Sequence, residues 1–325
     1  MKNIKYYIIF AFCSVCIIGF AQENETKNFS EFISINNLQQ HILALTADSL
    51  EGRETGSDGA FMAAEYIASQ FKKIGLQAPE YDSYYVPFST TKLYGINLIG
   101  IIEGSSLKDQ IIIVSAHYDH LGTFNGNVYP GADDNASGVS AMIEIAKAFK
   151  DKGYKPLRTI VFIAFDAKEQ ELSGSAYYAA RPLYPLSNTM VNLNIDAIGR
   201  IEGSPNGRAD YLFLVGTDRL SSDLSSISDD VNRANNLNLF LDYSFYNSEI
   251  FSEVFYTFSD QYNFGKRNIP VIYYTGGLHD DLYKSTDTEN LINYEALKKR
   301  TELIFYTAWE MANRPNRLKI DLNKK

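Results

Sequence analysis

Apolar residues recur along this chain with two spacings that alternate. Residues 35–45 carry helical spacing. Ser57 or Asp58 can cap a helix running to about Lys73, with Phe61, Ala64, Ile67, Phe71 and Ile74 on one face and Gly75 closing it. Beyond it, 97–103 and 110–116 read as strands, and 136–150 as a helix with Val139, Met142, Ile143, Ala146 and Phe149 near helical spacing. The run 159–165 is continuously apolar, as in a strand buried on both faces. Strands are predicted again at 191–195, 211–215, 237–243 and 269–275, with a polar helix over 218–236 and a long closing helix over 293–313. This alternation predicts an α/β fold of three layers, a mostly parallel central sheet with helices on both faces. No linker divides it.

The amino terminus follows a different rule. Lys2 and Lys5 precede an apolar stretch from Tyr6 to Phe20, and Gly19 and Ala21 are the small residues that a signal peptidase reads. Residues 1–21 are therefore read as a signal peptide, giving export to a periplasm or the exterior. Fifteen apolar residues are too few to span a bilayer comfortably. Val15 before Cys16 argues against a lipoprotein. Cleavage removes both cysteines, Cys13 and Cys16, so the domain over 22–325 works without disulfides or thiol chemistry. Loss of Lys2 and Lys5 also takes the net charge from −9 to −11. That balance disfavours a nucleic-acid partner.

In parallel sheets, ligands gather beyond the carboxyl ends of the strands. Each apolar run here is followed by chemistry. His117-Tyr118-Asp119-His120 follows 110–116, Asp166-Ala167-Lys168-Glu169 follows 159–165, and Asp196 follows 191–195. Gly276-Gly277-Leu278-His279-Asp280-Asp281 follows 269–275, and Asp133-Asp134-Asn135 sits just before a helix. Taken singly, Asp133 or Asp134 reads as a helix cap and Glu169 as a surface acid. Together they form a rim of carboxylates and imidazoles that repel one another unless a cation sits among them, and such donors suit zinc. His41, on an upstream amphipathic helix, is not a candidate ligand. Gly-x-Ser-x-Gly and His-Glu-x-x-His are both absent, which disfavours a serine hydrolase elbow and a zincin.

The blocks Ser115-Ala116-His117-Tyr118-Asp119-His120-Leu121-Gly122, Gly131-Ala132-Asp133-Asp134-Asn135-Ala136-Ser137-Gly138 and Ile195-Asp196-Ala197-Ile198-Gly199-Arg200 carry a resemblance. The chain resembles the co-catalytic zinc exopeptidases of the bacterial leucyl aminopeptidase type, in the superfamily of glutamate carboxypeptidase, glutaminyl cyclase and the transferrin receptor ectodomain. The likeness runs from Leu50-Glu51-Gly52-Arg53 to Asp287-Thr288. It implies a zinc-exopeptidase (phosphorylase/hydrolase-like) fold and hydrolysis of amino-terminal residues by a metal-activated water. It also implies roles for single residues. His117 and Asp196 would bind one zinc, Asp134 would bridge two, and Glu169 would bind the second. Asp119 would orient the His117 ring. With no inserted dimerisation domain, a monomer acting on a peptide or protein is the default.

The base position and one ligand position depart from that pattern. The family's general-base glutamate is Lys168 here, and the last histidine ligand is Tyr283; Gln261 also stands where relatives often have histidine. A protonated amine repels zinc and accepts no proton, and a phenol with an ordinary pKa near 10 is a poor neutral-pH ligand. Three readings follow. Lys168 replaces the charge of a missing zinc, leaving one ion or none; or burial lowers Lys168 enough to make it a base; or His279 substitutes for the lost histidine. The functional expectation is an exported zinc metallopeptidase with one or two ions. The alternative is a catalytically impaired relative that binds a peptide or protein in the former cleft.

Overall fold

The computed structural model describes residues 32–322 apart from 81, 152 and 154. The segment read as a signal, 1–21, lies outside the described residues. The chain opens with helices α1 (Ile35–Leu45) and α2 (Asp58–Ile74), then strands β1 (Tyr85–Ser89), β2 (Tyr94–Ile102) and β3 (Leu107–His117). A two-stranded hairpin of β4 (Thr123–Phe124) and β5 (Asn127–Val128) precedes α3 (Gly138–Asp151) and β6 (Arg158–Phe165). There follow α4 (Ser173–Ala180), β7 (Thr189–Ile195), β8 (Tyr211–Val215), α5 (Asp223–Ala234) and β9 (Phe240–Asp242). The last elements are α6 (Glu249–Tyr256), α7 (Tyr262–Gly265), β10 (Val271–Thr275) and α8 (Tyr294–Asn313).

Eight strands make one sheet in the order β1-β2-β6-β3-β7-β10-β8-β9. Its centre, β6-β3-β7-β10, is parallel, while β2 joins β6, β1 joins β2 and β8 joins β10 antiparallel. Alternate side chains of β3 feed two apolar layers. Ile112, Val114 and Ala116 pack with α1, α2, α3, α5 and α8, whereas Ile111 and Ile113 pack on the side of α4, α6 and α7. All of β6 is buried, which is why its sequence lacks alternation.

Local chemistry sets the ends. Ser57 Oγ accepts a hydrogen bond from the Ala60 amide at 3.1 Å, and Gly75 turns the chain out of α2 at φ 78°. The predicted helix at 136–150 starts later, at Gly138, because Asp134 and Asn135 leave helical geometry in the wide turn Ala132–Ser137. The long polar helix shrinks to α5 and the strand after it to β9. Strand β1 escaped the pattern because Pro87 interrupts it, which an edge strand tolerates.

Chain order matters most at β3. The chain passes from β3 to β6 on one side, then crosses to β7 on the other. The carboxyl ends of these three strands therefore open around one crevice. The loop that borders it turns at Gly52, with φ 74°. A Cβ there would lie 2.4 Å from the Gly122 carbonyl oxygen and 2.5 Å from that of Tyr129. Gly52→Ala is expected to lower stability by about 2–5 kcal/mol from strain and overlap combined, measured by urea denaturation. A loss under ~0.5 kcal/mol would show that the loop yields freely.

Candidate metal centre

Each strand end delivers one part of the site. His117 is the last residue of β3, Lys168 and Glu169 lie on the loop after β6, and Asp196 follows β7. The turn before α3 supplies Asp134, and the loop after β10 supplies Tyr283. All but Tyr283 and Glu169 are buried.

The innermost group is His117, Asp134 and Asp196, each offering one ligating atom within 4.8 Å of the others. Asp134 Oδ1 lies 3.2 Å and Asp196 Oδ1 3.3 Å from His117 Nε2. That nitrogen is buried and makes no hydrogen bond. One imidazole and two carboxylates converging on a buried, unpaired nitrogen fit a divalent ion such as zinc. On the other side of the ring, Nδ1 faces the Asp119 main-chain carbonyl at 3.1 Å and the Asp119 carboxylate at 3.6 Å. The same carboxylate accepts the amides of Lys168 and Glu169, both at 3.0 Å. Asp119 thus fixes both the His117 ring and the loop bearing the next two side chains. Ser259 Oγ donates to Asp196 Oδ2 at 2.6 Å and steadies the third ligand.

Beside this group stands Lys168. Its Nζ is 2.8 Å from Glu169 Oε1, 3.5 Å from Asp134 Oδ1 and 4.0 Å from Asp196 Oδ2. Burial pulls the ammonium pKa down, but Asp134, Asp196 and Glu169 more than reverse it, leaving it well above its ordinary value. In the metal-free protein these carboxylates hold Lys168 protonated, opposite to the shift that a lysine base needs. Burial pushes Glu169 up to about 7 against the pull of Lys168. Burial also pushes Asp134 up, yet Lys168 and His117 draw its carboxyl well below the usual range. Tyr283 lays its ring 5.4 Å from Lys168 Nζ, and burial with Asp134 holds its phenol above its ordinary pKa. The ring thus covers the ammonium on the side of the loop after β10.

The structure adds one residue that the sequence reading did not use as a ligand and places His279 outside both ligand groups. His120 joins Asp134 and Glu169 in a second group of potential ligands. Its Nδ1 lies 4.0 Å from Asp134 Oδ2, both ring nitrogens lack hydrogen bonds, and burial lowers its pKa to about 3. Its place in the His117-x-Asp119-His120 block was the only available signal. His279 sits 3.2 Å from Asp133 Oδ2 instead of at the ligand group, so it does not substitute for the lost histidine. Gln261 is a buried bracket, accepting from Asn194 and donating to the Tyr256 carbonyl. His41 lies between Tyr66 and Glu144, where α1, α2 and α3 meet.

Two buried arginines hold the loops. Arg53 donates to the carbonyls of Tyr118, Leu45, Pro130 and Gly131. Arg300 donates to those of Ile198, Arg200 and Tyr211. Among the described residues neither guanidinium is paired with a carboxylate; each organises backbone around the centre.

An apolar pocket adjoins Asp134, Lys168 and Asp196, walled by Phe255, Phe258, Tyr273, Leu278, Leu282 and Tyr283.

The model of the family described as Peptidase family M28 matches residues 97–308, more than half of the chain. A probable zinc metalloprotease of Leptosphaeria maculans is 26% identical over 204 residues, covering 58% of this chain and 47% of that protein. The chain spans about half the length of the curated relatives it matches. Among solved structures, the LapA aminopeptidase of Legionella pneumophila superposes with a TM-score of 0.72 at 20% identity, covering 97% of this chain and 81% of that one. BSAP, a zinc aminopeptidase from Bacillus subtilis, gives 0.69 at 17% identity, covering 90% and 98%. At these identities the structural likeness establishes the fold: the three-layer zinc-exopeptidase architecture expected from the sequence.

Proposed function

The chain belongs to peptidase family M28, and on that premise we propose that it is a zinc-dependent aminopeptidase that removes apolar residues from the amino termini of peptides. The observation that carries this is the convergence of His117 Nε2, Asp134 Oδ1 and Asp196 Oδ1 on one buried point beside an apolar pocket. His117, Asp134 and Asp196 would hold zinc, which when bound supplies Lewis-acid polarisation of the scissile carbonyl and a more acidic water.

The protein's own groups divide the remaining work. Asp119 and Ser259 orient two of the ligands. Lys168 keeps its proton, so proton acceptance falls to Glu169. Its Oε1 accepts from Lys168, and its Oε2 has no hydrogen-bond partner among the described residues. A carboxyl held near 7 by burial is matched to taking a proton from water and returning it to a leaving amine. Phe255, Phe258 and Leu282 give the pocket its preference for an apolar side chain. The carboxylates dominating the cleft favour an amino-terminal ammonium over a carboxyl terminus. Export rests on the pattern of residues 1–21.

Neither the family match nor these likenesses favours the non-catalytic alternative. The test is hydrolysis of leucyl-, phenylalanyl-, lysyl- and glutamyl-p-nitroanilides. Apolar residues are expected to be cleaved at least about tenfold faster in kcat/KM than charged ones, the value of a few buried methylenes. Activity should vanish with EDTA and return with zinc. No hydrolysis of any of them by zinc-loaded protein would overturn the proposal.

A further inference from the structure

We propose that this chain holds one divalent ion, at His117, Asp134 and Asp196, and that the Lys168 ammonium permanently stands where a second ion would sit. The inference rests on the metallopeptidase reading above and concerns how that centre is built.

Geometry supplies the first argument. The second group of potential ligands is His120, Asp134 and Glu169. Lys168 Nζ reaches two of its members, at 2.8 Å to Glu169 and 3.5 Å to Asp134. An ammonium has three donors and no acceptor, so it can satisfy carboxylates but cannot ligate metal while protonated. An ion entering between Asp134 and Glu169 would meet a fixed positive charge at contact distance, in a buried site where water screens little.

Tyr283 supplies the second argument, independent of the carboxylates. Its ring lies against Nζ, with the centroid 5.4 Å away. An aromatic face stabilises an ammonium and offers nothing to zinc. The two departures from the family pattern therefore form one unit, a cation and its aromatic cover. Tyr283 adopts φ 60°, a backbone conformation bulky residues rarely take, so the surrounding loop holds it there against some strain.

The third argument is the scarcity of other donors. His279 lies 3.2 Å from Asp133 Oδ2 and in neither ligand group, and Gln261 is bonded to Asn194 and Tyr256. Among the described histidines only His120 joins the second group, with Nδ1 4.0 Å from Asp134. A lysine tethered at this point thus does for the carboxylates what a second zinc would do, at any metal concentration.

The experiment counts zinc. Full-length protein is stripped with EDTA, incubated with excess zinc chloride, desalted and analysed for zinc per chain. The wild type is expected to retain one ion, and Lys168→Ala two, the second held by His120, Asp134 and Glu169. Lys168→Gln, nearly isosteric, provides the same comparison if the alanine variant does not fold, as judged by circular dichroism. Lys168→Arg is expected to stay at one. Anomalous diffraction at the zinc edge should place the wild-type ion beside His117 Nε2. Two ions in the wild type would overturn the inference while leaving the metallopeptidase reading intact. A folded Lys168→Ala or Lys168→Gln that still holds one would overturn it likewise. No ion in the wild type would overturn both.

Discussion

His117→Ala is expected to strip the protein of bound zinc and to lower kcat/KM on an apolar aminoacyl substrate by about a thousandfold or more. The reasoning runs from geometry to energy. Nε2 of His117 is the point on which the Asp134 and Asp196 carboxylates converge, at 3.2 and 3.3 Å. Without the imidazole, this group offers an ion only the two carboxylates, and the Lys168 ammonium competes for both of them. A metal contributes several kcal/mol of transition-state stabilisation, and each 1.36 kcal/mol is worth roughly a factor of ten in rate. The measurement is zinc per chain together with kcat/KM at saturating zinc. His41→Ala serves as the control, since His41 belongs to neither group of ligating atoms and should leave both values unchanged. Wild-type zinc content in His117→Ala would place the ion elsewhere.

The second large effect falls on stability. Arg53 is 1% exposed, and its guanidinium spans four main-chain carbonyls from three separate segments of chain. Burial lowers its pKa to about 10, and the carboxylates of Asp119, Asp134 and Asp287 hold it up, so it stays charged at neutral pH. Arg53→Met fills much of the same space but takes the side-chain donor from the carbonyls of Leu45, Tyr118 and Pro130, while Gly131 still accepts from the Ala136 amide. Each such orphan costs about 1–3 kcal/mol, and relaxation recovers part, so a net loss of about 3–5 kcal/mol is expected. Denaturation of the metal-free protein isolates this from the stabilisation that bound zinc adds. Arg53→Lys should rescue little, because one ammonium cannot reproduce a planar fork reaching four acceptors. Zinc affinity should fall too, since Tyr118 and Gly131 flank His117 and Asp134 in sequence. A loss below about 1 kcal/mol would mean that the loops carry their own order.

Much of this architecture is legible in a linear reading because its determinants are local. A strand buried on both faces must be continuously apolar, as 159–165 is, and an amphipathic helix must repeat as 58–74 does. Elements with weak or interrupted patterns were not legible. Strand β1 carries Pro87, and α4 reads Ser-Gly-Ser-Ala-Tyr-Tyr-Ala-Ala with no clear apolar face. Both are held by the sheet they join more than by their own periodicity.

The site divides along the same line. The sequence by itself determined that His117, Asp134, Glu169 and Asp196 lie at the ends of elements whose sheet brings such ends together. It also showed that Lys168 and Tyr283 replace residues of different charge and hydrogen-bonding capacity. Only the tertiary structure decided what those substitutions do. Strand order around β3 places Lys168 Nζ among three carboxylates, turns the Tyr283 ring toward it, gives His279 to Asp133 and brings His120 beside Asp134. Periodicity is a property of neighbours in sequence. The charge state and partners of a buried group depend on side chains tens of residues away, which only the folded chain brings within a few ångströms.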